Sequence, residues 1–237
     1  TYTELCSSVP MNPRCAVAGA CTNAEVQFDG GDYIYTSGGP ASIVHSQYPL
    51  TQFIGGSTEM LSRQAVEAAR SYSVPVGEDL YPAFGCPNCV MEPFHYVDLN
   101  LVAFEDNTQV VVTSPGAGTV TFTLNRGQHW SSLGNIDDTI ASPSLTINAG
   151  TKVSTPGPIN GMIFTGGDGT WATRHYALRP DLMHSTDYVI TAPGDDPAVG
   201  PAAPIDRPAN IYILNPNPLA TITVTTTDSV GTCTIDI

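Results

Sequence analysis

A chain of 237 residues, 41% of them apolar, is long enough for one large or two small β domains with a genuine core. Its net charge of −14 reflects the presence of only 8 Lys and Arg more than an excess of acid, since 13% charged residues falls well short of a globular average of about 25%. No basic patch is present to attract nucleic acid or anionic lipid, and no apolar run approaches the ~18 residues of a membrane span, so neither partner is expected.

Residues 1–23 carry Cys6, Cys15 and Cys21 among prolines and small residues without an amphipathic pattern, and read as an extended arm. Their start at Thr1, with no Met and no charged and apolar leader, reads as a processed N-terminus or a late start. Residues 24–56 are Gly-rich, with Val26, Phe28, Ile34, Ile43 and Val44 among their apolar residues. Residues 57–70 (STEMLSRQAVEAAR) hold good helix formers free of Gly and Pro, which predicts one short helix. The run Leu101 to Phe104 predicts a deeply buried strand, and Glu105-Asp106-Asn107 a turn. Val120, Phe122 and Leu124 alternate with Thr119, Thr121 and Thr123, the pattern of a strand with one wet face. Further on, Pro180 shortens any second helix, residues 194–207 read as an exposed Pro/Asp-rich loop, and the run Tyr212 to Leu214 reads as another buried strand. Two alternating stretches end the chain: Ile222 and Val224 among threonines, then Cys233, Ile235 and Ile237.

The chain also repeats itself. Residues 24–46 align without a gap on 143–165, so that Gly31 falls on Gly150, Gly38 on Gly157 and Val44 on Ile163. A second block recurs at similar offsets, with Arg63 on Arg179, Tyr72 on Tyr188, Asn100-Leu101 on Asn210-Ile211, and 118–124 on 231–237. With the first block named B and the second A, the order is B, A, B, A. The final A stops where a B should follow. This divides the chain into the arm 1–23, a half-repeat B at 24–56, a complete repeat at 57–165, and a half-repeat A at 166–237 that an N-terminal B must complete, in cis or in trans. The fold expected is all-β, an antiparallel sandwich or jelly roll of two pseudo-equivalent units with little helix.

Candidate chemistry is sparse. Cys86-Pro-Asn-Cys89 has the spacing of a redox pair or half a zinc site, but it lies in a Pro/Gly loop with His95 as the nearest further ligand, and we read it as a loop disulfide. Cys6, Cys15, Cys21 and Cys233 then allow three pairings, each giving Cys233 an N-terminal partner. An even cysteine count on a lysine-poor chain fits an oxidising, extracellular or cell-surface setting. Glu105, Asp106 and Asn107, with Asp98 nearby, could present hard oxygen ligands to calcium, or simply bond the local backbone as an Asx turn. Asp168, Asp137-Asp138 and Asp195-Asp196 read as solvated loop acids. Trp130 and Trp171 read as core residues, with a sugar-stacking platform as the alternative. The five histidines are scattered, no nucleophile elbow, P-loop or dinucleotide fingerprint occurs, and no enzyme is expected.

Three stretches, Ser71-Tyr-Ser-Val-Pro75, Leu101-Val-Ala-Phe-Glu-Asp-Asn-Thr-Gln-Val110 and Leu124-Asn-Arg-Gly-Gln128, resemble in order and spacing the N-terminal domain of the IgGFc-binding protein family. Ser185-Thr-Asp-Tyr-Val-Ile-Thr-Ala-Pro193 resembles a second copy of the first element, whereas Asn215-Pro-Asn-Pro218 replaces the acidic turn Glu105-Asp-Asn-Thr108. The resemblance covers roughly residues 63–225 and implies a secreted or cell-surface β domain used for binding and assembly, without catalysis. No residue set for immunoglobulin binding can be located.

Three readings follow. The first is an extracellular structural subunit that self-assembles into a filament or surface layer by strand complementation, with Val26, Phe28, Ile34, Ile43, Val44, Cys233, Ile235 and Ile237 at the contact between copies. The second is a monomeric, adhesin-like module closed in cis, binding glycans or a host or cell-surface protein. The third is an enzyme on a jelly-roll scaffold. We favour the first.

Overall fold

The computed structural model describes residues 31, 34–47, 56–84, 94–136, 140–166, 174–189, 212–217, 219–227 and 232–237. In chain order its elements are β1 (Val44–Gln47), β2 (Gly56–Glu59), α1 (Arg63–Val66), β3 (Ser71–Ser73), β4 (Tyr96–Ala103), β5 (Thr108–Ser114), β6 (Gly118–Leu124), β7 (His129–Ser131), β8 (Asn135–Ile136), β9 (Ile140–Ala141), β10 (Lys152–Ser154), β11 (Ile159–Gly166), β12 (Arg174–Ala177), β13 (Thr223–Thr227) and β14 (Thr232–Asp236). Short 3-10 turns lie at Glu78–Phe84 and Asp181–Met183. The fold is all-β and sandwich-like, with antiparallel sheets and almost no helix.

Two sheets make the body. One has four strands in the order β3-β10-β5-β6, the other six in the order β12-β11-β4-β7-β8-β9. Alternation explains the layering. On β5 and β6 the pairs Val110↔Phe122 and Val112↔Val120 point inward while Thr119, Thr121 and Thr123 stay wet. On β4, Val97, Leu99, Leu101 and Ala103 are buried, and on β11 Ile159 and Ile163 meet them from the next strand. Phe122 of the first sheet stacks on Trp130 of the second, centroids 4.5 Å apart, which ties the layers together.

Crossovers between the sheets rely on a few backbone devices. Asn107 adopts φ 55 in the β4–β5 turn, and Gly127 adopts φ 81 where the chain passes from β6 to β7. Gly77 is required for space, because a Cβ there would overlap the backbone of Asn148 and Ala149.

The predicted helix over 57–70 is corrected to a single turn. Residues 57–59 belong to β2, and Ser62 caps α1 by accepting the Ala65 N–H at 3.2 Å. Tertiary pairing with β1 has overridden local helix preference. The buried strand predicted at 212–214 is also corrected: these residues are outside any strand and Ile213 is exposed. Their counterpart, β4, is held by β11 on one side and β7 on the other, and among the described residues no strand pairs with 212–214.

Every buried apolar residue among those described lies between Val66 and Leu178. Outside that span stand two two-stranded sheets, β1-β2, which packs through β2 on β12, and β13-β14.

Candidate assembly surface

The proposed calcium residues are each engaged by protein groups. Asp98 accepts the hydroxyls of Ser131 and Ser132 at 2.8 and 3.0 Å and the Asn100 amide at 2.8 Å. Glu105 pairs with the Arg63 guanidinium at 2.6 Å, Asp106 accepts the Arg126 N–H at 3.0 Å, and the Asn107 N–H donates to Asn125 at 3.2 Å. The last two bonds lock the β4–β5 turn against the β6–β7 turn, which is a structural use of an acidic turn. Among the described residues, no three His, Cys, Asp or Glu side chains gather to hold a metal ion.

Cys233 is an exposed free thiol on β14, and Cys6, Cys15, Cys21, Cys86 and Cys89 lie outside the described residues. So do Trp171, Asp168, Asp137, Asp138, Asp195, Asp196, Val26 and Phe28. Trp130 is fully buried in the core.

The sequence-predicted assembly residues fall into a pattern that depends on how the elements recur. β1 and β2 form an antiparallel hairpin in which Val44 faces Glu59, and β11 and β12 form another in which Ile163 faces Tyr176. Val44 and Ile163 are the residues aligned by sequence. The Met60 N–H donates to the Ile43 carbonyl at 2.9 Å, extending the first hairpin by one pair, as Ala177 opposite Met162 does in the second. After each hairpin comes one helical turn: α1 in the first case, the 3-10 turn following Pro180 in the second. β13 and β14 then repeat β5 and β6, with Val224 facing Ile235 as Val110 faces Phe122. Gly31 and Gly150, aligned by sequence, both have positive φ, 111 and 85.

Equivalent residues differ sharply in exposure. Tyr72 is 0% exposed and Tyr188 70%; Ile163 is 2% exposed and Val44 62%; Phe122 is 8% exposed and Ile235 54%. Val153 and Leu124 are buried, whereas their counterparts Ile34 and Ile237 are exposed. At these five positions, then, the outer half-repeats present to water what the central repeat buries. Among the described residues, β1 pairs only with β2 and β13 only with β14, so within that set each keeps an open edge of backbone donors and acceptors.

The outer parts also touch the central repeat at several points: Tyr35 is hydrogen-bonded to Arg126, and Tyr212 packs edge-on against Phe94 with ring centroids 5.2 Å apart. β2 packs on β12, where the Ala177 N–H donates to the Thr58 hydroxyl at 3.1 Å. His45 and His175 lie with ring centroids 5.6 Å apart, and a Cβ at Gly56 would stand 2.5 Å from His175 Nδ1. Burial first, and then the charge of His175, lowers the His45 pKa; burial lowers that of His175 against the opposing hydrogen bond to the His45 carbonyl. Sequence reasoning missed this pair because the two histidines are far apart in the chain. Its only signal was that His45 aligns with Phe164, a neighbour of His175 in the register of β11 and β12.

Comparison with family models, with curated proteins and with solved structures gave no match. No helix among the described residues is long and apolar enough to cross a membrane.

Proposed function

We propose that this chain is an extracellular structural subunit that builds a filament or surface layer, the half-repeat at 24–56 of one copy completing the half-repeat at 166–237 of the next. The observation that carries this reading is the exposure of Tyr188, Ile235, Ile237, Ile34 and Val44 at positions whose counterparts form the core of the central repeat. Isolated two-stranded hairpins are marginal in water, and β13-β14, two-stranded among the described residues, becomes part of a larger sheet by acquiring neighbours. A donor at one end and an acceptor at the other make a heterologous, head-to-tail contact, which propagates instead of closing a dimer.

Charge sets a condition on this assembly. A subunit of net charge −14 repels its copies, so association is driven by apolar burial and helped by salt, which screens the repulsion. Sedimentation and negative-stain microscopy of the full chain over a concentration series test the reading. It expects linear oligomers that lengthen with concentration and with salt, and that are lost on deleting residues 1–46. A folded monomer at all concentrations would instead support the cis-closed binding module.

A further inference from the structure

The central repeat is a template for the register of the contact between copies. There, β10 is the middle strand of three: Val153 lies opposite Tyr72 on β3 and Val112 on β5, and Ser154 lies opposite Ser71 and Val111. The carbonyl of Ile159, at the start of β11, accepts the Tyr72 hydroxyl at 2.7 Å, and the carbonyl of Pro158 accepts the Phe104 N–H at 3.2 Å.

Each partner has an identifiable counterpart. Residues 152–154 correspond to 33–35 and Ile159 to Pro40 through the ungapped alignment. Tyr72 corresponds to Tyr188, and Ala103-Phe104 to Ile213-Leu214. The pair Val224↔Ile235, matching Val110↔Phe122, makes Thr226 the counterpart of Val112.

Resting on the head-to-tail reading above, we propose that Ile34 and Tyr35 of one copy enter as a middle strand between residues 187–189 and β13 of the next. Ile34 lies opposite Tyr188 and Thr226, and Tyr35 opposite Asp187 and Thr225. Residues 39–41 then run beside 212–214, with the Gly39 carbonyl taking the Leu214 N–H and the Pro40 carbonyl taking the Tyr188 hydroxyl proton. In the free chain that hydroxyl accepts the Ser185 N–H at 2.7 Å, which leaves its proton available as a donor among the described residues.

The occupant is a second copy and not the chain's own N-terminal segment for a reason visible in the fold. Within one chain Gly31 closely approaches Gly127, and Tyr35 is hydrogen-bonded to Arg126, so this segment is held at the β6–β7 turn of the central repeat. Among the described residues, its own β13 has no partner besides β14.

Cysteine cross-linking tests the register. In a Cys233→Ser background, full-length Tyr35→Cys and Thr225→Cys chains are mixed and mildly oxidised, and Tyr35→Cys is separately mixed with Thr223→Cys. Directly opposite residues have Cβ atoms about 4.5–5.5 Å apart and diagonal ones about 7–8 Å, so only the first mixture should give an interchain disulfide. Hydrogen exchange should also show new protection at 187–189 and 223–227 on assembly. Oligomers that form yet cross-link through position 223, or at neither position, would overturn the register and leave head-to-tail assembly standing. Monomers that never cross-link in the mixture, while a Tyr35→Cys/Thr225→Cys double variant closes within one chain, would overturn both.

Discussion

Tyr72 on β3 donates its hydroxyl to the carbonyl of Ile159 on β11 at 2.7 Å, inside the buried space between the two sheets. The bond links the four-stranded layer to the six-stranded one at the point where block A meets block B. Tyr72→Phe should cost about 1–2 kcal/mol, because it removes a buried bond and leaves volume unchanged. Urea unfolding monitored through Trp130 would measure the loss.

The same residue sets an alkaline limit. Burial pushes the Tyr72 phenol up to about 12, so the folded state favours the neutral form. A raised folded-state pKa means stability is fully present below the unfolded value of 10.0 and is lost as pH rises through 12. Unfolding followed against pH should show a decline between those values that Tyr72→Phe diminishes.

On the acid side the His45–His175 contact contributes. Both pKa values are lowered in the folded state, so the unfolded chain binds protons more readily. Stability of the β1–β2 attachment is therefore fully present above 6.5 and falls as pH drops below it. Histidine NMR titration should place both pKa values under 6.5, and hydrogen exchange on β1 and β2 should accelerate at lower pH. Gly56→Ala should loosen the same hairpin by displacing the His175 ring, at about 1–3 kcal/mol.

Equivalent core and surface positions should respond in opposite ways. Phe122→Ala, which removes the ring stacked on Trp130, should destabilise the subunit by about 3–5 kcal/mol. Ile235→Ala, at the matching exposed position, should change subunit stability by less than about 0.5 kcal/mol yet weaken assembly measurably. Thermal unfolding and sedimentation of each variant separate the two effects.

Strand identity was legible wherever alternation was strong, as in Val120-Thr121-Phe122-Thr123-Leu124 and Thr232-Cys233-Thr234-Ile235, and both are strands. The helix over 57–70 was overread because propensity ignores that Gly56–Glu59 can pair with Val44–Gln47. The run at 212–214 was overread for the complementary reason, since apolar residues make a strand only where another strand is available to bond them. The His45–His175 contact and the engagement of Asp98 by Ser131 and Ser132 depend on strand register and had no local signature.

The measurement that tests head-to-tail assembly most directly uses two variants with opposite ends disabled. Ile34→Asp places a charge in the donor segment and Ile235→Asp in the acceptor hairpin, so neither variant should extend beyond a monomer alone. Mixed, they retain one working donor and one working acceptor between them. The account predicts that the equimolar mixture sediments as a heterodimer and no larger, while the unmodified chain forms long oligomers. A mixture that stays monomeric while the unmodified chain polymerises, or single variants that polymerise as well as the parent, would contradict it.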